Sequence, residues 1–120
     1  MSRQKDLGRS LEHRVARRAR DKGLPAERHW GSGQIPGLKG DGHIADVLYE
    51  AKVRTAVINA RGEKTMTIPL TDLRKVQAQA LEGGFSQGIM VANAKGDTRP
   101  LVICDLDWLL GLLALTLVDR

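Results

Sequence analysis

KGDGHIADVLYEAKVR, Lys39 to Arg54, sets one carboxylate, Asp41, between two glycines and a second, Glu50, nine positions later in an apolar, β-branched run. Lys52 follows two positions on. Side chains alternate faces along a strand, so Glu50 and Lys52 point the same way. Two acidic oxygen donors converging beside an ammonium form the set that a magnesium-dependent phosphodiesterase needs: Mg²⁺ prefers carboxylates, waters and phosphate oxygens, and the lysine can steady an attacking water or offset charge on the phosphorane. The plain alternative is a solvated strand face whose charges keep an edge from aggregating.

Working outward, Ile44 to Tyr49 and Ala51 to Val53 supply strand material on either side of Glu50. Asp46 is a rival to Asp41 as metal-binding aspartate. It stands only four residues from Glu50, too few for two strands and a turn, which puts it at a strand end or turn. His43 can reach a phosphate or act as a local hydrogen-bonding group. Upstream, Ala26 to Trp30 reads as a short strand after the helix-breaking Leu24-Pro25. Gly31 to Gly42 holds five glycines with Pro36, Ser32, Gln34 and Lys39. The 31–42 loop is long enough to be functional, since glycines admit a phosphate close to the backbone and the hydroxyl and amide groups donate to it; a plain surface loop is the alternative.

The N-terminal residues 7–22 form a basic amphipathic helix. Leu7, Leu11, Val15 and Ala19 recur at i, i+4, Gly23 stands where the helix must end, and Arg9, Arg14, Arg17, Arg18 and Arg20 lie on or beside the other face. Glu12, just off the apolar stripe, reads first as an intrahelical salt-bridge partner of a residue such as Arg9. Charge is lopsided. Residues 1–40 carry ten Lys/Arg against four Asp/Glu, a net of +6, and residues 41–120 nine against ten, a net of −1. One-sided basicity points to a polyanion, nucleic acid above all, a solubilising surface being the weaker alternative.

Downstream, Ala60 to Thr65 is polar and reads as flexible, and Thr67 to Leu70 as a short extended segment ended by Pro69. A second helix begins near Thr71 with Leu73, Val76, Ala80 and Leu81 on its apolar face and Gly83-Gly84 closing it; Arg74 and Lys75 remain for solvent or phosphate. Gly88 to Ala92 and Pro100 to Cys104 are apolar runs around a turn, a hairpin or two adjacent strands. Residues 106–118 form a final helix, LDWLLGLLALTLV, apolar nearly all round. Its own sheet can cover only one side, so the rest calls for a second copy of the chain, with Trp108 as anchor or core. The order of elements predicts an α/β single domain over 1–120, a central mixed sheet flanked by helices.

Composition excludes several classes. The 42% hydrophobic and 28% charged content fits one soluble domain. The single cysteine, Cys104, rules out an internal disulfide and a cysteine zinc site, and its neighbours Val102 and Ile103 suggest a buried thiol. No secretory signal opens the chain and Trp108 to Val118 is too short to span a bilayer, which takes ~20 residues, so a cytoplasmic location, cellular or in a phage-infected host, and no membrane association are expected. Walker loop, dinucleotide fingerprint and nucleophile elbow are all missing, so neither a small-molecule cofactor nor acyl transfer is expected. The 3% aromatic content argues against single-strand binding by base stacking.

Asp41 followed by Glu50-Ala51-Lys52 resembles the signature of the PD-(D/E)XK nuclease superfamily. With Glu12 in LGRSLEHRVA, Ser32-Gly33, Gly-Asp at 40 and 41, the helix LTDLRKVQAQA and the apolar GIMVA and PLVICD strands, the chain further resembles the archaeal-type Holliday-junction resolvases and their phage relatives over most of residues 7–108. Gly40 stands where the superfamily name has proline. The resemblance implies a restriction-endonuclease-like nuclease core and a homodimeric, Mg²⁺-dependent endodeoxyribonuclease, with Mn²⁺ able to substitute. Such an enzyme nicks four-way DNA junctions symmetrically in recombination and repair. It further implies that Glu12, Asp41 and Glu50 bind metal, that Lys52 assists hydrolysis and that Ser32 lies near the scissile phosphate. Arg9, Arg14, Arg17, Arg20, Lys39, Arg54 and Lys75 are the candidate DNA contacts. The runners-up are a less selective nuclease of restriction or repair type and a non-catalytic basic DNA-binding protein; a protein-interaction module built on the terminal helix is a third class.

Overall fold

The computed structural model describes residues 3–29 and 40–118, with side chains of the first helix from Ser10 onward. Helix α1 runs Arg3–Asp21, four residues longer at its start than the apolar repeat predicts. Gly23 ends it in the left-handed region at φ 82°, where Gly23 N donates to the Arg20 carbonyl and Leu24 N to that of Ala19. Strands β1 (Ala26–Arg28), β2 (Gly42–Ile44) and β3 (Val47–Arg54) follow as an antiparallel meander. Ala45 and Asp46 make the β2–β3 turn, Ala45 at φ 51°, which removes Asp46 from any role as partner strand to Glu50.

Helix α2 (Leu70–Glu82) then carries the chain across the sheet, so β6 (Gln87–Ala94) lies parallel to β3 along its whole length. β7 (Leu101–Ile103) turns back antiparallel to β6, giving a mixed sheet of order β1-β2-β3-β6-β7. The chain is thus an α/β domain, its sheet covered by α1 on one face and α2 on the other.

Strand alternation divides the core between these faces. Tyr49, Ala51, Val53, Ile89 and Val91 pack against Leu11 and Val15 of α1, whereas Leu48 and Met90 pack against Leu73, Val76 and Ala80 of α2. Each fully buried Leu or Met contributes roughly 1.5–3 kcal/mol on transfer grounds. Gly88 is required because a Cβ there would run into the Val76 backbone, so β6 and α2 touch main chain to main chain.

Several expectations need correction. Leu81, assigned to the apolar face of α2, is 76% exposed because it sits past Ala80 on the side turned from the sheet. Cys104 is half-buried rather than buried, as β7 is an edge strand with Val102 outward. The stretch read as flexible is ordered: Val57–Ile58 (β4) and Lys64–Thr65 (β5) form a two-stranded hairpin apart from the main sheet. Residues 67–69 are outside any strand, and Pro69 caps α2, whose first helical residue is Leu70. Helix α3 (Leu106–Val118) buries no residue at all; only Trp108 leans on the α1-side core, and its eight Leu and Val side chains are 41–78% exposed. No helix among the described residues is long and apolar enough to cross a membrane.

Candidate active site

β2 is three residues long and β3 eight, so the second half of β3 has β6 on one side and no main-sheet strand on the other. That gap is where the charged residues gather. In the β2–β3 register Gly42 faces Tyr49, and one step further sets Asp41 opposite Glu50. Asp41 is threaded into the gap by its backbone, its N–H donating to the Tyr49 carbonyl at 2.9 Å and its carbonyl accepting from His29 N at 2.9 Å. Its Oδ2 accepts from Ala51 N at 2.8 Å, standing in for the strand partner that Ala51 lacks on that side.

Glu12 arrives from α1, one position after Leu11, whose complete burial fixes the helix against the sheet. The Tyr49 hydroxyl donates to the Glu12 carbonyl at 3.3 Å. The Tyr49 ring passes over Gly42, where any Cβ would collide with it, so Gly42 is a positioning residue for this contact. Glu12 is only 13% exposed and forms an ion pair with Arg28 of β1 at 3.7 Å. The expected intrahelical partner is therefore replaced by one sixteen positions later. Arg28 also approaches His13, Nη1 to Nε2 at 2.9 Å.

Burial first and like charges second set the electrostatics. Burial, then the charge of Asp41, then a hydrogen bond with its carboxyl and the charge of Glu50 push Glu12 up to about 7, against the opposing pull of Arg28. Glu50 is raised as well, by burial first and Asp41 second, with Lys52 and Lys75 opposing. Asp41 is the common neighbour of the two glutamates. Lys52 Nζ lies 3.8 Å from Glu50 Oε1. The structure thus brings Glu12, Asp41, Glu50 and Lys52 into one region, although among the described residues no three His, Cys, Asp or Glu side chains close into a ready metal-binding group.

The flanking residues divide. Arg17 and Arg20 are exposed on α1 and Arg14 is half-buried there, with Arg20 Nε held by the Ala26 carbonyl at 2.9 Å. A cleft of about 410 Å³ between α1 and β1 is lined by His13, Ala16, Arg20, Glu27 and Arg28. Arg54 pairs with Asp72 at 3.8 Å, and Lys75 is exposed on α2. Ser32, Lys39 and most of the 31–42 loop, with the Arg9 side chain, lie outside the described residues. His43 is a local partner: its Nδ1 is 2.7 Å from Nε2 of the buried His29, and burial followed by His29 lowers its pKa.

Sequence reasoning missed Arg28 and Tyr49. The period-two signal for Arg28 was there, because Ala26 and Arg28 share a face of β1 and Ala26 is buried against α1. Compared with family models, with curated proteins and with solved structures, the chain matches none.

Proposed function

We propose that the chain is a Mg²⁺-dependent endonuclease with a PD-(D/E)XK-type core that resolves four-way DNA junctions by paired nicks. The observation that carries this reading is the meeting of three acids from distant positions. Glu12, Asp41 and Glu50 share one half-buried region where burial first and the neighbouring carboxylates second hold Glu12 up to about 7, with the Lys52 ammonium beside Glu50. Like charges are not brought together out of water without something to gain.

The donor set fits a hard divalent cation, being carboxylate oxygen throughout and short of positive charge. Glu12, Asp41 and Glu50 would hold it. When bound, Mg²⁺ supplies a lowered pKa for a coordinated water and neutralises charge on the phosphate. The chain's own groups do the rest. Asp41 is oriented by Ala51 N, so its free oxygen is aimed rather than mobile. Arg28 and the Tyr49 hydroxyl anchor Glu12 from the side chain and the backbone. Lys52 offers its ammonium to charge growing on the scissile phosphate, a contribution of the kind that costs about 10²–10³-fold in rate when removed. The exposed arginines of α1 supply cationic surface for DNA backbone, which recognises shape rather than sequence.

Two nicks need two sites at a fixed separation, which a two-fold dimer provides. The eight exposed aliphatic side chains of α3 favour a second copy of the chain as what covers them. Their apolar area is on the order of 800 Å², one partner's share of a standard interface.

The test is incubation with Mg²⁺ and either a four-way junction or a linear duplex of the same sequence. Paired nicks in the junction alone support the proposal. Equal cutting of both substrates replaces it with a less selective nuclease, and binding without cutting with a DNA-binding protein.

A further inference from the structure

We propose that the β4–β5 hairpin is a ribbon that enters the groove of a DNA duplex arm bound at the candidate active site. The inference deepens the nuclease reading and rests on its DNA-binding part. The hairpin continues directly from β3, whose outward residues Glu50, Lys52 and Arg54 lead along one face toward it. At ~3.3 Å per residue, Val57 lies up to about 23 Å beyond Glu50. A duplex with a phosphate at the carboxylates turns its next groove to the protein half a helical turn away, ~17 Å, so the hairpin is within reach. A two-stranded ribbon is of a size that the major groove admits.

The hairpin is built to keep its shape without leaning on the domain. Asn59 N donates to the Glu63 carbonyl at 2.9 Å, Gly62 N to the Asn59 carbonyl at 3.0 Å, and the Asn59 Oδ1 accepts from Arg61 N at 2.9 Å and Glu63 N at 3.0 Å. Gly62, at φ 78°, closes the turn. A tip braced this way loses little freedom on binding.

Its surface chemistry favours DNA over a protein partner. At the hairpin's root Asp72 pairs with Arg54; Glu63, which accepts from Asn59 Nδ2 at 3.2 Å, keeps its charge, so Arg61, Glu63 and Lys64 leave the hairpin a net +1. The side chains of Arg61 and Lys64 have no ion-pair partner among the described residues and stand exposed, available to phosphates on the groove walls. Val57 and Ile58, 59% and 66% exposed, give apolar contact of the kind that base edges and thymine methyl groups accept. Lys95, exposed, stands at the hairpin's root, where its backbone N–H donates to the Arg54 carbonyl at 2.9 Å.

The test uses the full chain with a fluorescein-labelled four-way junction and a linear duplex, with binding followed by anisotropy in EDTA between about 50 and 200 mM salt. Because these side chains are exposed, their replacement leaves folding intact, which a thermal melt verifies. R61A/K64A is expected to weaken binding roughly tenfold and to reduce the slope of log K against log salt by one to two, about 0.9 for each phosphate that is no longer neutralised. V57S/I58S is expected to weaken binding with the slope unchanged. Wild-type binding and Mg²⁺-dependent cutting that both variants reproduce in full would overturn the ribbon and leave the nuclease reading standing. A hairpin-dependent slope without cutting supports the ribbon and removes the nuclease. No binding of either DNA at the lowest salt overturns both.

Discussion

Glu12→Gln isolates the electrostatic cost on which the functional reading depends. An acid whose pKa is higher in the folded than in the unfolded chain binds its proton more tightly when folded. Its stabilising contribution is complete below pH 4.5 and is lost as pH rises through about 7. For a shift from 4.5 to about 7, the loss between pH 5 and pH 8.5 is roughly 2.5 kcal/mol, and Glu12, only 13% exposed, has little solvent to screen it. Glu50, also raised, slopes the same way. Glutamine has no proton to lose, so the variant should fall by roughly 2 kcal/mol less over this range. The substitution also removes the partner of Arg28, but only where Glu12 is ionised, and the pull of Arg28 is already contained in the value of about 7 and hence in the slope. Urea unfolding in EDTA, repeated from pH 5 to 8.5 for both proteins, reads the two slopes. With Mg²⁺ at one hundred times its dissociation constant, the wild type should then recover about 2.7 kcal/mol at pH 8.5 and the variant much less. Parallel slopes for the two proteins, or a wild type indifferent to pH, would refute the claim that Glu12 shares a desolvated site with Asp41 and Glu50.

Lys52→Ala should leave junction affinity within a few-fold of wild type while lowering the single-turnover cleavage rate by about 10²–10³; an unchanged rate removes Lys52 from the chemistry. Gly88→Ala places a methyl against the Val76 backbone and should cost about 1–3 kcal/mol by overpacking, checked by chemical denaturation. L110E/L113E introduces two charges into the exposed apolar face of α3 and should convert a dimer into a monomer in sedimentation equilibrium without changing the far-ultraviolet dichroism. A wild type that sediments as a monomer would sink the dimer directly.

The carboxylate pair was legible because its logic is local: alternation sets Glu50 and Lys52 on one side, and a two-residue turn at Ala45-Asp46 fixes the register that brings Asp41 opposite Glu50. Glu12 was legible only through resemblance. Helical spacing compares residues three and four apart, whereas the partner of Glu12 is Arg28, reached by folding α1 onto β1. The hairpin was missed because β4 and β5 have two residues each, too short for any alternation to register, and its order comes from one asparagine bonding to its own turn. The apolar content of α3 pointed to a second copy, but sequence could not say how little of the helix the domain itself covers. Helix periodicity reports which face is apolar; here no face is polar.

The edge-guarding and functional readings of β3 are compatible, and their difference lies in burial. From Glu50 onward β3 has no main-sheet neighbour on the side that β2 leaves open, and charged residues at such an edge prevent pairing with another chain. Guarding an edge asks only that charges face water. It accounts for the Asp41 carboxylate, which satisfies Ala51 N at the open edge, but gives no reason for Glu12 to be held by α1 and Tyr49 beside it, nearly out of solvent. Burial of Glu12, reinforced by the charges of Asp41 and Glu50, favours its neutral form, a cost that Gln at position 12 would not carry. The convergence of Glu12 with Asp41 and Glu50 at this edge, more than the signature spacing of Asp41, Glu50 and Lys52, is the physical argument on which the proposal of chemistry rests.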